Sequence, residues 1–308
     1  MCTAIRFNKD FFGRTLDFER SFDEELIITP RESVRLLDSV NRYAIMGIGA
    51  VWEGHPLYFD GVNEWGLASA ALNFPGYASY GSKGEGRAVE SGRLISFILG
   101  FCRSVSEARD MLGSVEIIAD EGAAPLHWIV CDGREAMVVE SVADGLKLYD
   151  NPVGVLTNSP PFPYHLTRLA DISHLTPTSP TSAGVGTRIY SRGMGAIGLP
   201  GDFSSSSRFL RASFIRERSP LSEDRSEAVN MAFDILSSLS VPRGCVITDD
   251  GEIAYTRYTA VIDMAEPGYY LTTASCRTVG RISLTEEMMT SDHIITRPMY
   301  LEPHYIDI

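Results

Sequence analysis

Short apolar runs separated by polar breaks fill the first part of the chain. Thr3-Ala4-Ile5-Arg6-Phe7, a polar turn at Asn8-Lys9-Asp10, Phe11 to Phe18 and Glu25 to Thr29 predict a hairpin and its continuation. Strand-like runs follow at Tyr43 to Val51, Pro56 to Asp60 and Leu67 to Leu72. Asp60-Gly61-Val62-Asn63 with Glu64-Trp65-Gly66 supplies turn residues between the last two, a second hairpin. From Ser91 the period changes. Leu94, Phe97, Ile98 and Phe101 recur at helical spacing and predict an amphipathic helix burying one face. Ser104 with Glu107 is a capping-box pattern opening a second helix through Leu112. Strands resume at Leu126 to Cys131, Ala136 to Ser141 and Leu146 to Tyr149. Later come a helix after Ser204 to Ser207, a helix over Glu223 to Leu239, and strands at Cys245 to Thr248, Ala254 to Val261 and Tyr269 to Thr273. Helices set between groups of hairpins predict a layered α+β fold rather than a βαβ repeat.

Two Gly-rich stretches do not alter this picture. Residues 171 to 187 are rich in Thr, Ser, Pro and Gly and read as an exposed excursion. Gly193-Met194-Gly195-Ala196-Ile197-Gly198 matches G-x-G-x-x-G, but Leu199-Pro200-Gly201-Asp202 follows where a dinucleotide site needs a helix, so a loop is expected.

At 308 residues, 44% hydrophobic and 22% charged, the chain has a globular composition and room for one or two domains. The net charge of -13 and the absence of a basic run argue against a nucleic-acid partner. No apolar run reaches the length of a spanning helix, and the N-terminus lacks a signal-peptide pattern, so a cytoplasmic location without membrane insertion is expected. The five cysteines, Cys2, Cys102, Cys131, Cys245 and Cys276, contain no C-x-x-C pair. Four of them lie in apolar surroundings and read as small buried hydrophobes. The six histidines show no metal spacing, and there is no G-x-S-x-G elbow.

Cys2 is the exception. Removing Met1 would give one residue a thiol and a free α-amine, a nucleophile with a base built in. On position alone, an ordinary loose N-terminus is the commoner case. Arg14 and Asp17 would face opposite sides of an unbroken strand; either they are unrelated surface charges, or the strand bends near Thr15 so that both approach Cys2. Asn73 ends a strand before Pro75-Gly76, where it can form a turn or leave a backbone N–H free for a ligand. Asn158 ends a short apolar strand, where its amide can cap the next helix or donate to an oxyanion. Arg208 sits in the first turn of its helix, a mildly unfavourable place for a cation unless a function or a partner carboxylate explains it.

Met1-Cys2-Thr3, Phe12-Gly13-Arg14-Thr15-Leu16-Asp17, Asp60-Gly61-Val62-Asn63-Glu64 with Gly66-Leu67, Leu72-Asn73-Phe74-Pro75-Gly76, Val155-Leu156-Thr157-Asn158-Ser159-Pro160 and Tyr190-Ser191-Arg192-Gly193 through Arg208-Phe209 together resemble the choloylglycine hydrolase family. That family holds the bile salt hydrolases and penicillin V acylases among the N-terminal nucleophile hydrolases. The resemblance implies a four-layer αββα sandwich as a single domain over 1–308, with Met1 removed, and amide hydrolysis without a metal or organic cofactor. It implies Cys2 as nucleophile, its α-amine as proton relay, Arg14 and Asp17 as orienting groups, the Asn73 N–H and the Asn158 amide as oxyanion donors, and Arg208 as a supporting charge. Leu16 would border the acyl pocket. Asn73, where penicillin V acylases often carry Tyr, points to a conjugated bile salt as the small-molecule amide substrate. A penicillin V acylase or other N-acyl amide hydrolase is the alternative, and a catalytically silent steroid- or lipid-binding protein is the alternative from another class. The family's Gram-positive type is intracellular and tetrameric, which implies a homo-oligomer, although the excursion after Asp171 is shorter than the assembly loop of tetrameric members.

Overall fold

The computed structural model describes residues 1–82, 87–119, 122–180, 190–299, 302–303 and 305. The N-terminal hairpin forms as its apolar pattern predicts. β1 (Cys2–Phe7) pairs antiparallel with β2 (Phe11–Phe18), and the polar residues between them supply the turn, with Asn8 at φ 53°. This hairpin lies inside a sheet ordered Val155–Leu156, β1, β2, Ile253–Asp263, Gly268–Thr273, Gly280–Ser283, with Val246–Ile247 added alongside Ile253–Asp263. Eight strands form a second sheet, in the order Gly145–Asp150, Ala136–Val142, Leu126–Cys131, Ala68–Asn73, His55–Asn63, Ile45–Trp52, Glu25–Thr29, Ile295–Pro298.

The helices cover the outer faces. α1 (Leu94–Phe101) and α2 (Val105–Leu112) share an apolar cluster with the second sheet, through Phe97, Ile98 and Leu112 against Trp128, Val130 and Val139. After α3 (Phe162–Arg168), α4 (Ser205–Arg218) and α5 (Arg225–Ser237) pack on the first sheet. The result is the four-layer αββα sandwich expected. Gly13 has a specific reason to be glycine: a Cβ there would lie 2.7 Å from Leu236 Cδ1, so its absence lets α5 approach β2 closely. Gly66 combines φ 79° with a Cβ position 2.0 Å from the Met264 carbonyl oxygen, so this turn admits no side chain.

Several local expectations are corrected. Asp60 to Asn63 belong to a strand rather than a turn, and the reversal is carried by Glu64 to Gly66 alone. α1 is buried on all sides from Leu94 to Gly100, not on one face, because Leu36 and Asn41 cover its outer side at Gly100. Ser104 accepts from Glu107 N as a capping box requires, but the Glu107 carboxylate reaches Arg103 N rather than the Ser104 N–H. Cys245 is exposed, whereas Cys102, Cys131 and Cys276 are buried as predicted, and all five cysteines are free. The Gly193–Gly198 segment holds only a short 3-10 turn at Met194–Ala196 and opens no helix. Residues 181–187 of the predicted excursion lie outside the described residues. Among the described residues no helix is long and apolar enough to cross a membrane.

Candidate active site

Register fixes Cys2 before any side-chain contact is considered. Cys2 stands opposite Leu16 and Ala4 opposite Arg14, so alternation puts Cys2, Arg14 and Leu16 on the face of the sheet that looks toward the second sheet. Cys2 is 3% exposed and Leu16 6%. Met1 prolongs the ladder by one residue: its amine donates to the Asp17 carbonyl at 2.6 Å, and the Asp17 N–H donates to the Met1 carbonyl at 2.9 Å.

Asn158 is the junction of the site. Its Oδ1 accepts from the Cys2 backbone nitrogen at 2.8 Å and from Arg208 Nη2 at 2.8 Å, and its Nδ2 donates to the Asn73 carbonyl at 2.7 Å. The helix cap considered for it is absent, since Pro161 is the N-cap of α3 and makes no side-chain cap bond. An amide nitrogen carries two hydrogens, so Nδ2 keeps a second N–H. The backbone of Asn158 is held from both sides. Its N–H donates to Ser205 Oγ at 2.9 Å, and its carbonyl accepts from Ser205 Oγ at 2.8 Å and His165 Nε2 at 2.9 Å. Burial lowers the His165 imidazole, with its donation to the Asn158 carbonyl and the nearby Glu140 opposing, and His127 and Arg208 reinforcing.

The Asn73 peptide faces the same junction. Phe74 N donates to the Pro125 carbonyl, so in the alternation of an antiparallel ladder the N–H and C=O of Asn73 turn away from that strand. Its carbonyl meets Asn158 there. Its N–H points to the same side, where pairing with His55–Asn63 has already stopped at Ala70.

Among the described residues Arg208 has no partner carboxylate within ion-pair distance. From α4 it donates to neutral oxygens: the carbonyls of Phe203 and Cys2, Thr3 Oγ1 and Asn158 Oδ1. Burial lowers its guanidinium, while the charges of Asp17 and Cys2 raise it. This wholly buried cation therefore ties the start of β1 to Asn158.

Arg14 and Asp17 are both fully buried on an unbroken β2, so neither alternative for them holds: they are not surface charges, and the strand does not bend. They occupy opposite faces. Arg14 reaches the second sheet, donating from Nη1 to the Phe59 carbonyl at 2.9 Å and to Asp60 Oδ2 at 3.3 Å. The Asp17 carboxylate accepts from Thr15 Oγ1 at 3.1 Å and from Thr256 Oγ1. The irregularity lies instead in the facing strand, as a bulge between Thr256 and Tyr258.

Asp60 was not anticipated as part of the site. It also accepts from the hydroxyls of Tyr258 and Tyr269. Burial pushes the Asp60 carboxyl up, opposed by Arg14 and the two hydroxyls, and burial pushes both phenols far up. Against its own burial, the Arg14 guanidinium is raised by the acidic groups around it, Tyr258, Cys2, Asp60 and Asp17, and stays cationic. Nε and Nη2 of Arg14 are buried without a hydrogen-bond partner. Among the described residues no group of three or more His, Cys, Asp or Glu converges to hold a metal.

A thiol on the same sheet face as a buried cation, a backbone nitrogen held by an amide oxygen, and an amide nitrogen bonded to the Asn73 peptide are groups that nucleophilic acyl transfer can use. The chain was compared with known proteins. The family model of linear amide C–N hydrolases, choloylglycine hydrolase family, matches residues 2–297. A bile salt hydrolase/transferase of Lactiplantibacillus plantarum is 39% identical, over 99% of this chain and 99% of that protein. The crystal structure of a C2A mutant of the conjugated bile acid hydrolase from Clostridium perfringens superposes with TM-score 0.91 at 28% identity, covering all of both chains. A penicillin V acylase from Agrobacterium tumefaciens shares the fold, with TM-score 0.80 over 97% of this chain and 91% of that one, at 23% identity.

Proposed function

We propose that this chain, which belongs to the choloylglycine hydrolase family of linear amide C–N hydrolases, cleaves the amide of a conjugated bile salt with Cys2 as its N-terminal nucleophile. One observation carries the reading: through Asn158, the nitrogen of Cys2 is joined to the peptide that offers the second donor. Loss of Met1 turns that nitrogen into the α-amine, with Asn158 Oδ1 already in place to orient it. The Cys2 thiolate, on the same sheet face as the Arg14 cation, attacks the amide carbon. As the carbonyl oxygen becomes an oxyanion, the Asn73 N–H and the free Nδ2–H of Asn158 stabilise it; one such donor is worth about 3 to 4 kcal/mol where deletion has been measured. The α-ammonium protonates the departing amine and, as an amine, then takes a proton from the water that cleaves the thioester. Asp17 acts through its backbone and through Thr256, holding the strand beside the new terminus, while Arg208 fixes the Cys2 carbonyl and Asn158 together.

Leu16, across the ladder from Cys2, gives the acyl pocket an apolar wall that suits a steroid face. Relatives named as bile salt or conjugated bile acid hydrolases, at 30% to 39% identity over nearly the whole chain, support this substrate over phenoxymethylpenicillin. Residues 1–308 work as one domain, because strands from both ends of the chain enter the same two sheets. The enzyme acts in the cytoplasm as a homo-oligomer, a tetramer by resemblance. Exposed Tyr190, Met194 and Ile197 offer apolar surface for that assembly, and light scattering after size exclusion measures it. The functional test compares turnover of glycocholate, taurocholate and phenoxymethylpenicillin by protein whose intact mass shows that Met1 is gone. Faster penicillin turnover overturns the bile salt assignment. Absence of product and of an acyl adduct with all three favours a silent binding protein.

A further inference from the structure

Behind the two donor segments lies a buried pair that the reaction does not use. His127 and Glu140 are both 0% exposed and lie on adjacent strands, one position beyond the Trp128–Val139 pair. His127 Nε2 is 2.8 Å from the Thr157 carbonyl, which can only accept, so Nε2 carries a hydrogen. Nδ1 is 3.2 Å from Glu140 Oε1, which also accepts from the Phe162 N–H at 2.9 Å. Both side chains are wholly buried, an interior in which a lost hydrogen bond is costly. The face of the imidazole stacks on Phe74, with centroids 4.3 Å apart and planes 6° apart.

His127 thus touches the residue after Asn73 with its ring and the residue before Asn158 with its Nε2–H. We propose that His127, secured by Glu140, is a positioning residue that sets the spacing and orientation of the Asn73 and Asn158 donors relative to each other. This rests on the reading of those two groups as the oxyanion site. Misplacing such donors by a fraction of an ångström weakens the transition state without altering how the ground-state substrate or the thiol is held.

The experiment separates the oxyanion site from the nucleophile. Wild-type turnover of glycocholate, and its loss in Cys2→Ser, test the underlying reading. His127→Phe keeps the stack and the volume but removes the hydrogen bonds. It should lower kcat by about 10- to 100-fold, leave KM within about twofold, and leave the rate of Cys2 alkylation by iodoacetamide within about twofold, since alkylation needs the thiolate but no oxyanion donor. His127→Gln, which returns a donor toward the Thr157 carbonyl, should recover part of the loss. If His127→Phe does not fold, Glu140→Gln, which keeps an acceptor for the Phe162 N–H, should show the same split between kcat and alkylation to a smaller degree. An unchanged kcat overturns the proposal. So does a parallel fall in kcat and alkylation, which means the whole site is lost, and so does a His127→Gln variant no better than His127→Phe.

Discussion

Asn158→Asp replaces one NH2 with oxygen at constant shape and isolates the donor function of the side chain. The acceptor facing the Cys2 nitrogen survives, and the new charge gains an ion pair with Arg208, whose Nη2 already lies 2.8 Å from Oδ1. The donor disappears: the Asn73 carbonyl, 2.7 Å from Nδ2, now meets an oxygen, and no side-chain N–H remains for the oxyanion. Losing one oxyanion donor costs about 10²- to 10³-fold in kcat. A carboxylate at about 4 Å from the developing anion adds roughly 4 kcal/mol of repulsion at an effective dielectric of about 20, and Arg208 cancels part of it. The expected fall in kcat is therefore at least about 10³-fold with KM little changed. The Arg208 pair offsets the lost bond to Asn73, so the melting temperature should move by only about 3 °C. Asn158→Ala is the contrast. It strips an acceptor from two donors and a donor from one carbonyl, at about 1 to 3 kcal/mol per orphaned group, and should melt about 10 °C lower. Release of glycine from glycocholate gives kcat and KM, and intact mass verifies the loss of Met1 in each variant. If Asn158→Asp keeps kcat within about tenfold of wild type, Nδ2 is not an oxyanion donor and the assignment fails.

Cys2→Ser should fold like wild type and lose nearly all turnover, whereas Cys102→Ser should keep its rate; burial pushes the Cys102 thiol up to about 12, as suits a packing residue. A Cys2→Ser protein that still hydrolyses glycocholate would falsify the nucleophile. Asp60→Asn removes the counter-charge of a wholly buried Arg14, so stability should drop by about 3 kcal/mol with a loss of kcat; chemical denaturation unchanged from wild type would show that the pair carries no net weight. Because burial holds the folded His165 below its ordinary value, the unfolded chain takes up a proton first as the pH falls below about 6.5. His165 therefore costs nothing near pH 8 and lowers stability from about pH 6.5 down toward its depressed folded value. Melts at pH 7.5 and 5.5 should show a smaller acid loss in His165→Gln than in wild type, and equal losses would exclude His165 as the cause.

Strand and helix periods were legible because each depends on a short local window, as in β1, β2 and α5. What the window hid was which face a residue serves and what lies across from it. Asp60-Gly61 has the composition of a turn, yet Asp60 is a strand residue whose partners Arg14, Tyr258 and Tyr269 come from the other sheet, up to 209 positions away. Asn63, in the same motif, ends that strand and braces the turn after it: its Oδ1 accepts from Trp65 and Leu67 N–H groups. One motif thus contains a residue for the site and a residue for the chain reversal, and sequence pattern does not separate them. Arg14 and Asp17 show the same limit, since two buried charges on opposite faces of a strand look in sequence like solvated ones. Arg208 was noticed because a cation early in a helix is costly, a local rule. Three of its four neutral oxygen partners, on Cys2, Thr3 and Asn158, follow only from the packing of α4 beside β1.

The pairing of Met1 with Asp17 sets an order of events. In the folded chain Met1 lies just ahead of β1, partly buried, with its amine and carbonyl both bonded to Asp17. On the mechanism proposed, a peptidase that removes Met1 needs these two bonds open, so excision before the first hairpin closes meets the least resistance. A chain that keeps its methionine keeps the Cys2 nitrogen as an amide, and refolding it would restore the sandwich without restoring the proposed base.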